Sequence, residues 1–227
     1  MPRKRLPQNI KCILFDLDGV LIDTRQALIE AYKITHRTLL GTDIPESYLD
    51  EVMNTSPNSL LSGMFPDNKK EALRIFEFNK KKVLIETICV PGITKIINLL
   101  GQEKILGVVT SRNQRDALYY LEKTGLLRFM SSVVTWGKTR KHKPEPEPLL
   151  SALEQCSCTP RETIYVGDMP EDMIAAKAAN MFSAGAVWVK GCSIEDMQNA
   201  NPDVILYTPI ELLKYFHKNG GEVVNYD

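Results

Sequence analysis

A chain of 227 residues, 44% of them hydrophobic, can bury the core of one average domain with a smaller insertion. Its 28 Lys and Arg residues balance 28 Asp and Glu with no long basic stripe, which argues against nucleic acid or an anionic membrane as partner. No stretch approaches the ~18 consecutive apolar residues of a membrane helix, and the first residues lack the apolar run of a secretory signal, so a soluble, cytoplasmic protein is expected. Arg3-Lys4-Arg5 reads as a solvated arm. The cysteines Cys12, Cys89, Cys156, Cys158 and Cys192 are irregularly spaced. Cys156 and Cys158 stand too close for a zinc knuckle, which wants about two to four residues between thiols, so free, reduced thiols are expected.

In chain order, the first strand is expected at Cys12 to Phe15. From Thr24 to Val90 the pattern contains no convincing strand, only helical stretches such as Gln26 to Leu40, Glu46 to Met53 and Lys69 to Ile88. Asp23-Thr24 and Val90-Pro91-Gly92 punctuate its two ends, which marks residues 24–90 as a helical cap between two parts of a core, residues 1–23 and 91–227. Further strands are expected at Ile105 to Val109, Val133 to Thr135, Thr163 to Val166, Ala184 to Val189 and Val204 to Leu206. Helical spacing lies between them, as in Ile93, Ile96, Ile97 and Leu100, or Ile174, Ala175 and Ala178. Such repeats predict an α/β fold: a Rossmann-like parallel sheet with helices on both faces, plus the all-helical cap inserted after the first strand.

Chemistry concentrates where strands end. The first strand runs into Asp16-Leu17-Asp18-Gly19, and ligands of open α/β sheets bind beyond the carboxyl ends of the strands. Taken alone, these acids also suit an ordinary capped turn. The fourth core strand ends at Gly167-Asp168 with Asp172 in the next helix turn, where acids also favour a helix N-terminus. Together the two pairs say more, because neighbouring parallel strands end about 5 Å apart. Like charges ~4 Å apart repel by ~4 kcal/mol in a partly shielded site, so a cation is needed. Oxygen-only ligands in a small site select a hard cation, and Mg²⁺ before calcium. Lys143 follows the third core strand in Lys143-Pro144-Glu145-Pro146, where prolines are expected to hold an extended, stiff backbone. There it can balance an incoming phosphate, although a solvated lysine before a helix reads equally well alone. Thr110, Ser111 and Arg112 follow the second core strand in a hydroxyl-rich turn before a helix near Gln114, either an anion pocket or plain capping.

These residues closely resemble the haloacid dehalogenase-like hydrolase superfamily, whose four motifs stand here in order from about Ile10 to Phe216: Phe15 to Thr24, Val109-Thr110-Ser111, Lys143 to Pro146, and Gly167 to Asp172. The insert is similar to the cap of its phosphoglycolate-phosphatase and pyrophosphatase-like branch. The resemblance implies that Asp16 is the nucleophile of a Mg²⁺-dependent phosphatase, forming an aspartyl-phosphate, and that Asp18 is general acid, then base. Thr110, Ser111, Arg112 and Lys143 would bind substrate. Asp16, Asp168 and the backbone carbonyl of Asp18 would hold the ion, with Asp172 supporting it directly or through its ligands. The implied partner is a small phosphorylated metabolite, a phosphoglycolate-like monoester, bound by a monomer or homodimer.

Two positions depart from the family pattern: Met169 stands where a small polar residue is commoner, and Asn180 where a glycine usually closes the following helix. Asn tolerates the left-handed conformation such a position needs. Pyrophosphate hydrolysis and phosphoglucomutase-like transfer use the same site residues, though Leu28 occupies the place where such mutases tend to have His. A haloalkanoate dehalogenase would not keep Asp18, and a phosphonatase would want a cap lysine, which Ile34 to Asn68 lacks. A non-catalytic binding protein on the same fold is the alternative from another class. Candidate selectors of substrate in the insert are Arg37, Tyr48 and Lys81, and the segments near Thr24 and Val90 are expected to act as hinges.

Overall fold

The computed structural model describes residues 9–52, 57–83, 88–189 and 193–216. Its strands are β1 (Cys12–Phe15), β2 (Ile22–Asp23), β3 (Ile88–Cys89), β4 (Ile105–Asn113), β5 (Met130–Trp136), β6 (Thr163–Gly167), β7 (Phe182–Ala186) and β8 (Val204–Leu206). The longer helices are α1 (Arg25–Leu40), α2 (Glu46–Glu51), α3 (Pro57–Met64), α4 (Lys69–Val83), α5 (Ile93–Leu100), α6 (Gln114–Lys123), α7 (Glu147–Cys156) and α8 (Pro170–Ala178). Near the end come α9 (Ile194–Asn199) and α10 (Leu213–Phe216). Six strands form one parallel sheet in the order β5-β4-β1-β6-β7-β8.

The central strand β1 alternates its side chains between two cores, as a strand covered on both faces must. Cys12 and Leu14 join Leu149 and Leu153 of α7 and Ala175 of α8. Ile13 and Phe15 join Ile93 and Ile97 of α5 and Leu121 of α6. Strand β1 pairs with β4 through Phe15 and Val108 and with β6 through Phe15 and Val166, so the chain ends of these strands emerge side by side.

Helices α1 to α4 have a third core, in which Tyr32, Leu61, Phe65 and Phe76 are buried. The Tyr32 and Phe76 rings lie 4.4 Å apart, joining α1 to α4. At the neck of this insert β2 and β3 pair antiparallel, Ile22 with Cys89 and Asp23 with Ile88, and Val90 N–H donates to Leu21 O at 3.0 Å.

Several expectations are corrected here. The helix expected to run to Ile88 is described to Val83, and Ile88-Cys89 is a strand, because its partner, Ile22-Asp23, is brought in by tertiary structure. Helix α3 was not foreseen. Strand β4 continues through the expected Thr110–Asn113 turn, with a register shift against β5 after Val109. Strand β7 begins at Phe182, two positions before the expected Ala184, and ends at Ala186. The segment around Lys143 is a turn: the Lys143–Pro144 peptide is cis, and Glu145 N–H donates to His142 O at 2.8 Å. Arg3-Lys4-Arg5, Met53 and Cys192 lie outside the described residues.

Candidate active site

Strand β1 stops at Phe15, and Asp16 N–H donates to Val166 O of β6 at 2.8 Å, which sets the Asp16 carboxyl at the sheet's carboxyl edge. The chain then turns back, with Gly19 at φ 71 donating to Ile22 O at 2.9 Å. Glycine is required here for two reasons. An L side chain is strained at that φ, and a Cβ on Gly19 would stand 2.0 Å from Asp168 Oδ2. A second glycine makes room in the same way, since a Cβ on Gly167 would meet the Asp172 carboxyl at 2.4 Å. Both absent side chains let carboxylates approach.

Asp172 sits in the first turn of α8, where Met169 N–H donates to its Oδ2 at 3.1 Å. One oxygen each from Asp16, Asp168 and Asp172 lies within 4.8 Å of the others, and all three residues are buried. Only oxygen donors meet in this cluster, a set that suits a hard divalent cation.

Lys143 faces the cluster. Its ammonium donates to Asp16 Oδ1 at 2.9 Å, Asp172 Oδ1 at 2.7 Å and Tyr165 Oη at 3.0 Å, which uses its three hydrogens. Tyr165, reaching in from β6, donates to Val109 O at 3.0 Å and thereby braces the lysine against β4. Burial alone would lower the Lys143 ammonium, but Asp16 and Asp172 hold it well above its usual value. Burial pushes the Asp16 carboxyl up to about 7; Lys143 opposes this, while Asp172 and Asp18 add to it. The Asp168 carboxyl is raised well above its ordinary value by burial, then by Asp16 and Asp172. Burial therefore favours protons on Asp16 and Asp168 that a divalent cation would displace.

The Asp18 carboxylate is not part of this cluster. Arg112 Nε and Nη2 grip its two oxygens at 2.6 Å each, and Thr24 Oγ1 donates to it at 3.0 Å. Thr110 is buried at the same edge and its hydroxyl accepts from Arg112 N–H at 3.1 Å; Ser111 is exposed. Asn113 caps α6, taking the Asp116 N–H at 3.0 Å. A cleft beside these residues is lined by Thr110, Ser111, Trp136, His142 and Lys143, and His142 stacks on Trp136 with ring centres 3.4 Å apart.

In the insert, Arg37 is exposed and pairs with Asp43, Tyr48 packs against the insert core, and Lys81 is exposed. Sequence reading gave no role to Tyr165, and placed Thr24 only at the end of the first motif and as a hinge, not as a partner of Asp18. Tyr165 looks like any aromatic residue of a buried strand, so nothing in the pattern marks it. Thr24 stands six residues after Asp18, a spacing that signals contact only once the turn at Gly19 is known.

Fold and site together define an open, parallel α/β protein with a lysine-braced acid centre at the carboxyl ends of its middle strands. The family model for haloacid dehalogenase-like hydrolases matches residues 13–186, and the chain belongs to that family. It is 31% identical over 214 residues to the pyrophosphatase PpaX of Bacillus pumilus, covering 90% of this chain and 95% of that one. Among solved structures, a haloacid dehalogenase-like family hydrolase from Streptococcus pneumoniae superposes with a TM-score of 0.80 at 24% identity, covering 93% of this chain and all of that one, 100%. A β-phosphoglucomutase from Clostridium difficile gives a TM-score of 0.65 at 23% identity, covering 89% and 93%. Likeness at such identities extends to the fold.

Proposed function

We propose that this protein is a Mg²⁺-dependent phosphatase that hydrolyses a small phosphate monoester of the phosphoglycolate type through an aspartyl-phosphate on Asp16. The observation behind this reading is the Lys143 ammonium bridging Asp16 and Asp172 beside Asp168. A lysine in that place orients one carboxylate as nucleophile and leaves acids to bind a cation. Asp16, Asp168, Asp172 and the backbone carbonyl of Asp18 would hold Mg²⁺. Bound there, the ion would shield the acids from an incoming dianion and draw charge from its oxygens.

The chain's own residues then divide the work. An Asp16 oxygen attacks phosphorus, the bond from phosphorus to the leaving oxygen breaks, and that oxygen takes a proton from Asp18. In the second half a water gives a proton back to Asp18 while its oxygen attacks phosphorus, breaking the bond to Asp16 and freeing phosphate. Thr110 and Ser111 hold phosphoryl oxygens through both halves, Lys143 neutralises the charge that grows on Asp16 and the phosphoryl group, and Arg112 contacts the substrate. The helical insert, residues 24–90, acts as a cap that closes over the site.

Pyrophosphate hydrolysis is the second reading, supported by the 31% identity to a relative named pyrophosphatase. Phosphate release from phosphoglycolate, pyrophosphate, sugar phosphates and nucleotides, measured with Mg²⁺ and with a chelator, tests both. Turnover is expected with Mg²⁺ alone and is expected to fall by at least about 10⁴-fold in Asp16→Asn. Unchanged turnover in that variant would remove the reading.

A further inference from the structure

The amino edge of the sheet, opposite the acids, holds a second cluster of reactive side chains. Cys12 opens β1 and is fully buried; Cys156 closes α7 in the same core, 6% exposed, and the partly buried Cys158 packs against that core. All three are free thiols. The Cys12 thiol is hydrogen-bonded with Cys156 and also reaches Cys158, whose Sγ donates to Cys156 O at 3.3 Å.

The Cys12 and Cys156 sulfurs join the same two segments that meet at the active site. Strand β1 begins at Cys12 and runs into Asp16, while α7 follows Lys143 and ends at Cys156. At the carboxyl edge these segments are joined by Lys143 Nζ and Asp16 Oδ1, 2.9 Å apart. Leu14, Leu149 and Leu153 fill the core between them. A covalent bond draws two sulfurs closer than a hydrogen bond leaves them, and a close-packed interior passes such a shift along rather than absorbing it.

Reactivity is divided between the two sulfurs. The thiolate is the reacting form of cysteine. The Cys12 thiol holds Cys156 below its ordinary value, against the effect of burial, while Cys12 itself is pushed far up by Cys156 and by burial. Cys156 therefore supplies the thiolate and Cys12 keeps its proton. The small exposure of Cys156 gives an opening for a small peroxide rather than for a bulky disulfide.

We propose that Cys12 and Cys156 form a dithiol site that a hydroperoxide converts to a disulfide, and that closing this bond disturbs the Asp16–Lys143 pair at the other end of β1 and α7. In the first step the Cys156 sulfur attacks one peroxide oxygen, the O–O bond breaks and hydroxide leaves, so that Cys156 becomes a sulfenic acid. The Cys12 sulfur then attacks the Cys156 sulfur, the S–O bond breaks, and the hydroxyl leaves with the Cys12 proton as water. The hydroxide takes up the proton that Cys156 had released, so two thiols and one hydrogen peroxide give a disulfide and two waters.

The test treats the intact, reduced protein with hydrogen peroxide and maps its disulfides by peptide mass spectrometry. A Cys12–Cys156 link is expected, reversed by dithiothreitol and absent in both Cys156→Ser and Cys12→Ala, the second variant covering a folding defect in the first. Cys158→Ser is expected to keep it. Hydrogen exchange at the backbone around Asp16 and Lys143 is expected to rise in the oxidised protein, a readout that does not rest on the phosphatase reading. Phosphate release is expected to fall at least about tenfold, since a displacement of about 1 Å at reacting groups costs on the order of 100-fold. A link from Cys12 to Cys158, or a Cys156 sulfinic acid with no link, overturns the proposal, as does a Cys12–Cys156 link that leaves exchange and phosphate release unchanged. No phosphate release from the reduced protein removes the phosphatase alone, and mapping with exchange still decides the dithiol.

Discussion

The ion pairs of the helical insert and those of the strand ends are built differently. In the insert, Arg74 pairs with Glu71 and Lys80 with Glu77, three residues apart on one exposed helix face, and Arg37 pairs with nearby Asp43. At the strand ends, Lys143 reaches Asp16 across 127 residues of sequence and Arg112 reaches Asp18 across 94, in partly or fully buried surroundings. Local exposed pairs add little to a helix that its packing already holds. A buried charge without its partner is costly, so the long-range pairs tie distant strands to one geometry. The buried side-chain polar atoms without a partner among the described residues divide the same way: Tyr32 Oη lies in the insert core, whereas Thr135 Oγ1 belongs to a residue lining the cleft beside Thr110 and Lys143.

That contrast can be broken most sharply at Lys143. Lys143→Ala leaves two buried carboxyls without their cation and is expected to lower stability by about 3–5 kcal/mol in urea unfolding with a chelator present, with Mg²⁺ restoring part of it. Gly19→Ala is expected to lose about 2 kcal/mol and to weaken Mg²⁺ binding in calorimetry, because its Cβ and the Asp168 carboxyl claim the same space.

A pH-dependent effect follows from Asp16. With a folded-state value of about 7 against an ordinary 3.8, its carboxyl keeps a proton in the folded protein that the unfolded chain has already lost. Its contribution is therefore present at low pH and declines as pH rises through that window. Thermal melts in chelator are expected to show the wild type losing stability relative to Asp16→Asn between about pH 4 and 7; a flat difference would contradict it. Smallest is Tyr32→Phe: the hydroxyl it removes is buried with no partner among the described residues, so stability is expected to hold or rise by up to about 1 kcal/mol.

Much of the core was legible from local pattern. The apolar run at Cys12 to Phe15 and the helical spacing at Ile93 to Leu100 depend on neighbours close in sequence, and both elements stand as expected. Strand β3 was not legible, because two residues pair only after the chain has returned from a long excursion. For the same reason the extension of β4 through Arg112 was hidden beneath residues that suit a turn.

The sequence by itself determined the class of sheet, the helical insert after its first strand and the acids placed where strands end, since each follows from local pattern and known strand spacing. Only the tertiary structure decided how those acids are used. It groups Asp16 with Asp168 and Asp172 around Lys143, and turns Asp18 away to Arg112. That choice depends on two glycines whose missing side chains make room, and on a tyrosine whose hydroxyl reaches across from a neighbouring strand. Such contacts are set by distance in space, and a linear pattern carries no measure of it.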